Sequence, residues 1–212
     1  IKFCVSRHAD KARADSAVIQ AYLWCLHGVK GVSTEIITGA TAAAAKGMEN
    51  PGLQNDAREL FKALFAERYE PAFKQATAAA AKGMKNPELQ RGALELFNVL
   101  VRNGYKPVLV AATDAAADGM KDPNLQWYAF GLFEVLVAER YEPAFKQAAA
   151  AAAAAMRKPM LRNDALKLFE ALFAKGEGYA GAAVAAAAAM KNPDLQRGAL
   201  ELFNVLVRNG YK

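Results

Sequence analysis

The sequence predicts an all-α protein: an α-solenoid of about six stacked antiparallel helix pairs on a 36-residue period. Three observations predict it. The first is repetition. Met48, Met84, Met120, Met156 and Met190 are spaced by 36, 36, 36 and 34 residues. Three residues after each comes a proline (Pro51, Pro87, Pro123, Pro159, Pro193), and two further on a leucine (Leu53, Leu89, Leu125, Leu161, Leu195). A Leu-Phe pair follows at 60–61, 96–97, 132–133, 168–169 and 202–203, and Tyr69, Tyr105, Tyr141, Tyr179 and Tyr211 close the units. A fixed period of this size marks stacked supersecondary units. The second is apolar spacing: from Leu89, apolar residues recur at Ala93, Leu96, Phe97 and Leu100, which is one helical stripe. The third is alanine, the strongest helix former, concentrated in blocks of which the longest pure run is Ala148–Ala155.

Taken in order, residues 1–33 read as an atypical N-terminal capping repeat. A shift of 36 lays Ile1–Ala12 over Ile37–Met48. Asp15-Ser16 is expected to cap a second helix carrying Val18, Leu23, Trp24 and Leu26, with Cys25 a buried thiol beside Trp24. Residues 34–212 hold five repeats in one continuous array. In each, an alanine-rich helix ends near the methionine and a Leu-Phe helix follows. In the second unit Asn86-Pro87 is expected to start that helix, Asn as N-cap and Pro at the first helical position. Asn103-Gly104 ends it, glycine taking the left-handed cap, and Pro107 opens the next. Alanine helices bury little area, so the Leu-Phe helices supply most of the core at roughly 1.5–3 kcal/mol per buried side chain. One pair cannot bury both its faces, so the units must stack.

The period is irregular at Lys175-Gly176-Glu177-Gly178. The connector there is expected to be two residues shorter and lacks the proline of Pro71, Pro107 and Pro143. Two long matches also stand out. Lys85–Lys106 and Lys191–Lys212 differ only at Glu88 against Asp194, and Ala66–Ala76 is identical to Ala138–Ala148. Duplication of a three-unit block accounts for both.

The Leu-Phe helix resembles the HEAT and armadillo families on Asn86-Pro87, Leu89-Gln90, Ala93, Phe97 and Leu100, a pattern present in five units. Armadillo units are usually longer, with three helices, and the usual HEAT arginine is replaced by Gln54, Gln90, Gln126 and Gln196, with Arg162 as the nearest equivalent. Tetratricopeptide repeats are a competitor through Asn103-Gly104-Tyr105 and Asp122-Pro123-Asn124, but the Leu-Phe helix fits their small-residue pattern poorly. The resemblance implies a binding scaffold with an extended concave surface. It implies no chemistry.

Composition narrows the function classes. The chain is 54% hydrophobic and 23% charged, outside the disordered range. The net charge of +6 is a mild basic bias that allows anionic partners without requiring one. The two cysteines exclude a disulfide-rich scaffold and fit a reducing, cytoplasmic compartment. No apolar run approaches the ~20 residues of a membrane span. Residues 1–20 carry Arg7, Asp10, Lys11, Arg13 and Asp15, which is no secretory signal, and a start at Ile1 is expected of a processed or truncated chain.

Candidate chemistry is sparse. Cys4 and His8 are spaced to share a helix face and would hold half of a zinc site; Cys25 and His27 would diverge on a helix. Beyond His27 there is no cysteine or histidine, and no phosphate-binding glycine motif occurs. Acidic residues such as Asp56, Glu59 and Glu95 lie among Arg and Lys on polar faces, as solvated surface charge does. The methionines read as gap-fillers and the tyrosines as packing over the turns. No cofactor, metal or catalytic constellation is expected, and the chain is read as non-enzymatic.

The face opposite Leu89 is where the units differ. The second unit places Arg91, Glu95, Asn98 and Arg102 there, the first Asn55, Glu59 and Lys62, the third Trp127, Gly131 and Glu134, and the fourth Asn163, Lys167 and Glu170. The fifth repeats the second with Arg197, Glu201, Asn204 and Arg208. A tryptophan on a polar stripe points to a contact. The expected function is therefore a scaffold, adaptor or structural subunit binding another protein. Trp127 and Tyr128 are its anchor, and Arg91, Glu95, Arg102, Arg197 and Arg208 the charged surround. The alternative is nucleic-acid backbone binding, motivated by the spaced arginines. In the last repeat Leu202, Phe203, Leu206 and Val207 are expected to form an exposed apolar patch open to self-association or a partner.

Overall fold

Proline and glycine set the helix boundaries, and from residue 2 to residue 27 the chain has neither. The computed structural model describes residues 2–28 and 32–210, with side chains at 14–27 and 32–210. It runs one unbroken helix, α1 (Lys2–Gly28), through the first stretch. The break expected at Asp15-Ser16 does not form, so the first predicted pair is one helix. The two side chains expected to cap instead reach neighbouring helices. Ser16 Oγ donates to Asp56 Oδ2 at 3.2 Å, and Asp15 Oδ1 accepts from Lys46 Nζ at 2.9 Å. Ile19 and Leu26, one heptad apart, are the buried face of this helix, while Trp24 is 75% exposed and Cys25 only half-buried. The buried thiol expected at Cys25 is thus corrected.

Ten α-helices follow among the described residues, alternately alanine-rich and Leu-Phe: α2 (Thr34–Gly47), α3 (Gln54–Ala66), α4 (Glu70–Gly83), α5 (Gln90–Arg102), α6 (Leu109–Gly119), α7 (Gln126–Ala138), α8 (Glu142–Ala155), α9 (Arg162–Phe173), α10 (Tyr179–Ala189) and α11 (Gln196–Arg208). No strand occurs among the described residues. Each alanine-rich helix packs on the Leu-Phe helix after it. The chain divides into two compact units, each of several repeats, and from here on the first unit is Ile1–Val108 and the second Leu109–Lys212. In the first, α1 lies against α2 and α3, and α2 and α3 meet α4 and α5 respectively. In the second, α6, α8 and α10 are successive neighbours in one row, and α7, α9 and α11 in the other.

The Leu-Phe pairs are the core. Leu60 and Phe61, Leu96 and Phe97, Leu132 and Phe133, and Leu168 and Phe169 are all buried. Alanines such as Ala40, Ala44, Ala76 and Ala80 are also fully buried, their small side chains allowing close helix approach. No helix of the described residues is long and apolar enough to cross a membrane.

The Asn-Pro dipeptide acts one turn earlier than expected. Helix α5 begins at Gln90, and Asn86 caps the turn before it: its Oδ1 accepts from the Glu88 N–H at 3.1 Å, and its carbonyl from the Leu89 N–H at 2.9 Å. Asn50, Asp122 and Asn192 make the same side-chain contact at 3.0, 2.9 and 3.0 Å. In the second unit this turn is a short 3-10 helix, at Pro159–Leu161 and again at Pro193–Leu195. A proline with its fixed φ suits such a tight turn as well as it suits a helix start.

The irregularity at 175–178 also differs from expectation. The α9–α10 connector is longer, five residues against three between α3 and α4, and it is α10 that is shortened, to 11 residues against 14 in α4 and α8. Two glycines in the left-handed region, Gly176 and Gly178, build the extra turn.

Candidate protein-binding surface

The glutamines at the first position of α3, α5, α7 and α11 tie together four of the helix pairs. Gln90 Nε2 donates to Met84 O at 3.0 Å, Gln126 to Met120 O at 2.8 Å and Gln196 to Met190 O at 3.3 Å. These carbonyls lie at the ends of the alanine helices, where no intrahelical partner exists. Gln54 does more: its Nε2 lies 3.3 Å from Met48 O and 3.3 Å from Leu89 O, joining two repeats. The space for it is made by Gly92, where a Cβ would stand 2.2 Å from Gln54 Oε1. In the second unit Arg162 crosses to Asp194 O at 2.8 Å over Gly198 in the same way.

This framework turns the polar stripe outward on the Leu-Phe helices. In the first unit Arg91 and Arg102 are exposed. Arg102 Nε donates to Asn98 Oδ1 at 2.7 Å. Glu95 is only 21% exposed and is held from two sides, by the Arg58 guanidinium of α3 and by Arg91 Nε at 3.4 Å. Its carboxylate therefore serves an intramolecular network as well as the outer face, which the sequence did not indicate.

In the second unit Trp127 is 68% exposed on α7 and Tyr128 is half-buried beside it in the chain. On α11, Arg197 pairs with Glu201 at 3.2 Å, and Arg208 is exposed in the last turn, where a cation complements the helix dipole. Glu201 lacks a second arginine at the position of Arg58, because Leu166 occupies that place in α9.

The C-terminal patch takes a different form from the one expected. Leu202 and Leu206 are buried, at 0% and 1% exposure, so they belong to the α10–α11 core. The apolar residues that do face out are Val207 at 69% and Leu200 at 53%, with Phe203 half-buried between them. The spacing explains it: 202 and 206 share the inward face, whereas 200, 203 and 207 share the next one.

Residues that the sequence reading passed over lie at the turns. Arg68 and Arg140 hold left-handed backbone, with φ of 53° and 57°, where the equivalent Gly104 has 72°. An arginine aligned with a left-handed glycine was the available signal. Beside Arg68, Phe65, Phe73 and Tyr105 stack at centroid distances of 4.2 and 5.0 Å. Glu70 accepts from Lys74 Nζ at 3.0 Å, and this hydrogen bond and charge raise the Lys74 ammonium above its ordinary value. Tyr69 and Tyr179 tie turns together as well as packing over them: Tyr69 Oη lies 3.4 Å from Thr38 Oγ1, and Tyr179 Oη 3.3 Å from Phe173 O and 3.4 Å from Asn209 O.

The side chains of Cys4 and His8, the half-site considered for zinc, lie outside the described residues, as does Tyr211. Among the described residues no group of three or more His, Cys, Asp or Glu gathers to hold a metal. Comparison with known proteins finds no family model, no curated protein and no solved structure that matches the chain.

Proposed function

We propose that this chain is a non-enzymatic scaffold of the HEAT/armadillo-like α-solenoid kind, binding another protein through the outer faces of its Leu-Phe helices. The observation that carries this is Trp127. It is 68% exposed on a helix whose neighbouring Ala129, Phe130, Leu132 and Phe133 are buried. Large exposed aromatics on an otherwise polar face are the usual anchors of protein interfaces. Tyr128 flanks it, and Arg197 and Arg208 of the same unit are the charged surround; Arg91, Glu95 and Arg102 are the corresponding groups of the first unit.

The pairing of Arg91 with Glu95 and of Arg197 with Glu201 supports a protein partner over a nucleic acid. A phosphate backbone would meet a carboxylate beside each of these guanidinium groups. The exposed Leu200 and Val207 supply a second contact surface, suited to self-association or to a partner subunit. The test is Trp127→Ala in the full chain, with affinity for the isolated partner and melting temperature measured together. A loss of at least about tenfold in affinity at unchanged melting temperature is expected, as for an interface anchor. Unchanged affinity removes Trp127 from the interface. A loss of affinity between about 50 and 200 mM salt as steep as phosphate contacts give would favour nucleic acid instead.

A further inference from the structure

The turn between α3 and α4 borders a hollow of about 640 Å³ lined chiefly by Phe65, Arg68, Glu70, Phe73, Gly104 and Tyr105. An equivalent hollow of about 210 Å³ lies in the second unit at Arg140, Glu142, Phe145 and Lys175. The duplicated eleven-residue segment, Ala66–Ala76 and Ala138–Ala148, lines one side of each, and Phe65, Gly104 and Tyr105 or Lys175 line the rest.

The residue at the mouth of each hollow is costly. A left-handed backbone suits glycine, and the corresponding turns use it at Gly104, Gly176 and Gly210, with φ of 72°, 81° and 83°. Nothing lies within 4 Å of a Cβ built on Gly104, so the turn itself requires no side chain. Arg68 and Arg140 nevertheless keep a long side chain in this conformation. Both are exposed, and no hydrogen bond or ion pair among the described residues holds either guanidinium. Packing and intramolecular pairing therefore do not account for the arginine.

In this lining Arg68 is the cation left for an anion, with Glu67 before it in the chain. Glu70, the acid of the lining, is tied to Lys74 at 3.0 Å. The twin hollow holds Arg140 and Lys175 with one carboxylate, Glu142. The wall behind Arg68 is the Phe65–Phe73–Tyr105 stack, in which Phe65 and Phe73 are buried at 2% and 8% exposure and Tyr105 is half-buried. The larger volume falls in the range of ligand pockets, and that of the twin lies below it.

We propose that this hollow binds an acidic peptide segment of a partner protein, Arg68 taking a carboxylate and the Phe73–Tyr105 wall seating the adjacent apolar side chain. A guanidinium and a carboxylate match as a bidentate pair, and the aromatic wall gives the contact its direction. The site shares no residue with the Trp127 surface, so the two are tested independently.

The test titrates the isotope-labelled full chain with acetyl-Asp-Phe-Glu-amide, with its neutral counterpart acetyl-Asn-Phe-Gln-amide, and with a short oligothymidylate. The amide signals of Gly104 and Tyr105 should shift saturably with the acidic peptide, and the neutral one should bind at least about fivefold more weakly. Arg68→Gly and Arg68→Asn both tolerate the turn and remove the guanidinium; each should weaken the acidic peptide at Gly104 by at least about fivefold. Trp127→Ala should leave the titration unchanged. Equal binding of the two peptides, no loss in either Arg68 variant, no saturable shift up to about 5 mM peptide, or tighter binding of the oligonucleotide at the same signals would each overturn the proposal.

Discussion

The Gln54 carboxamide occupies the space that a side chain at Gly92 would take: a Cβ there would fall 2.2 Å from Gln54 Oε1. Gly92 sits inside helix α5, where glycine is worse than alanine by about 1 kcal/mol. The lost propensity is offset by the two carbonyls that Gln54 satisfies, at Met48 and Leu89. Gly92→Ala should therefore destabilise the native chain by ~1 kcal/mol, because displacing the amide removes those bonds. In a Gln54→Ala background the same change should stabilise by ~1 kcal/mol. A double-mutant cycle by urea unfolding reads the coupling, and additive effects would mean that the two side chains do not compete.

Glu95 and Glu201 share one local sequence and differ in surroundings. Glu95 is 21% exposed between Arg58 and Arg91, and Glu201 is 43% exposed and pairs with Arg197, itself 88% exposed. Glu95→Gln should cost ~1–2 kcal/mol, and Glu201→Gln less than ~0.5 kcal/mol, since exposed pairs contribute little and half-buried ones leave a charge uncompensated. Denaturant midpoints of the two variants check this. Equal costs would remove Arg58 from the account.

The duplicated helix also separates burial from sequence. Leu94 is fully buried in α5, and its counterpart Leu200 is 53% exposed in α11. Leu94→Ala should cost ~2–5 kcal/mol as a core truncation, and Leu200→Ala less than ~0.5 kcal/mol. Leu206→Glu should unfold the α10–α11 pair, because it places a charge at a site with 1% exposure. Val207→Glu should leave the helical circular dichroism intact and lower any self-association seen by sedimentation at micromolar concentration.

The turn position makes opposite demands at Arg68 and Gly104. Gly104→Ala meets no steric neighbour within 4 Å, yet should cost ~1 kcal/mol because φ is 72° there. Arg68→Gly removes a left-handed penalty of ~1–2 kcal/mol and adds ~0.5–1 kcal/mol of backbone entropy, so the melting temperature should rise by ~2 °C. Thermal melts of the two variants should shift in opposite senses.

The helices themselves follow from local chemistry, and the sequence by itself determined them. The Leu-Phe stripes, the alanine blocks and the Gly104 cap are short-range signals, and they predicted the paired, all-helical arrangement that is present. The continuity of α1 was also written there, in the lack of any proline or glycine before Gly28, but the polar pair Asp15-Ser16 resembled a cap. What a capping residue does depends on what lies nearby: Ser16 found Asp56 on α3, and Asn86 capped a tight turn ahead of the helix it was expected to start. Trp127 was legible as an exposed residue because it breaks a polar stripe. Tertiary structure alone decided that Glu95 is shared with Arg58, that Leu94 is covered while Leu200 is not, and that Arg68 stands at the mouth of a hollow. Each of these depends on which surface of another helix or turn lies alongside, and a repeated sequence presents the same side chains to whatever neighbour the fold supplies.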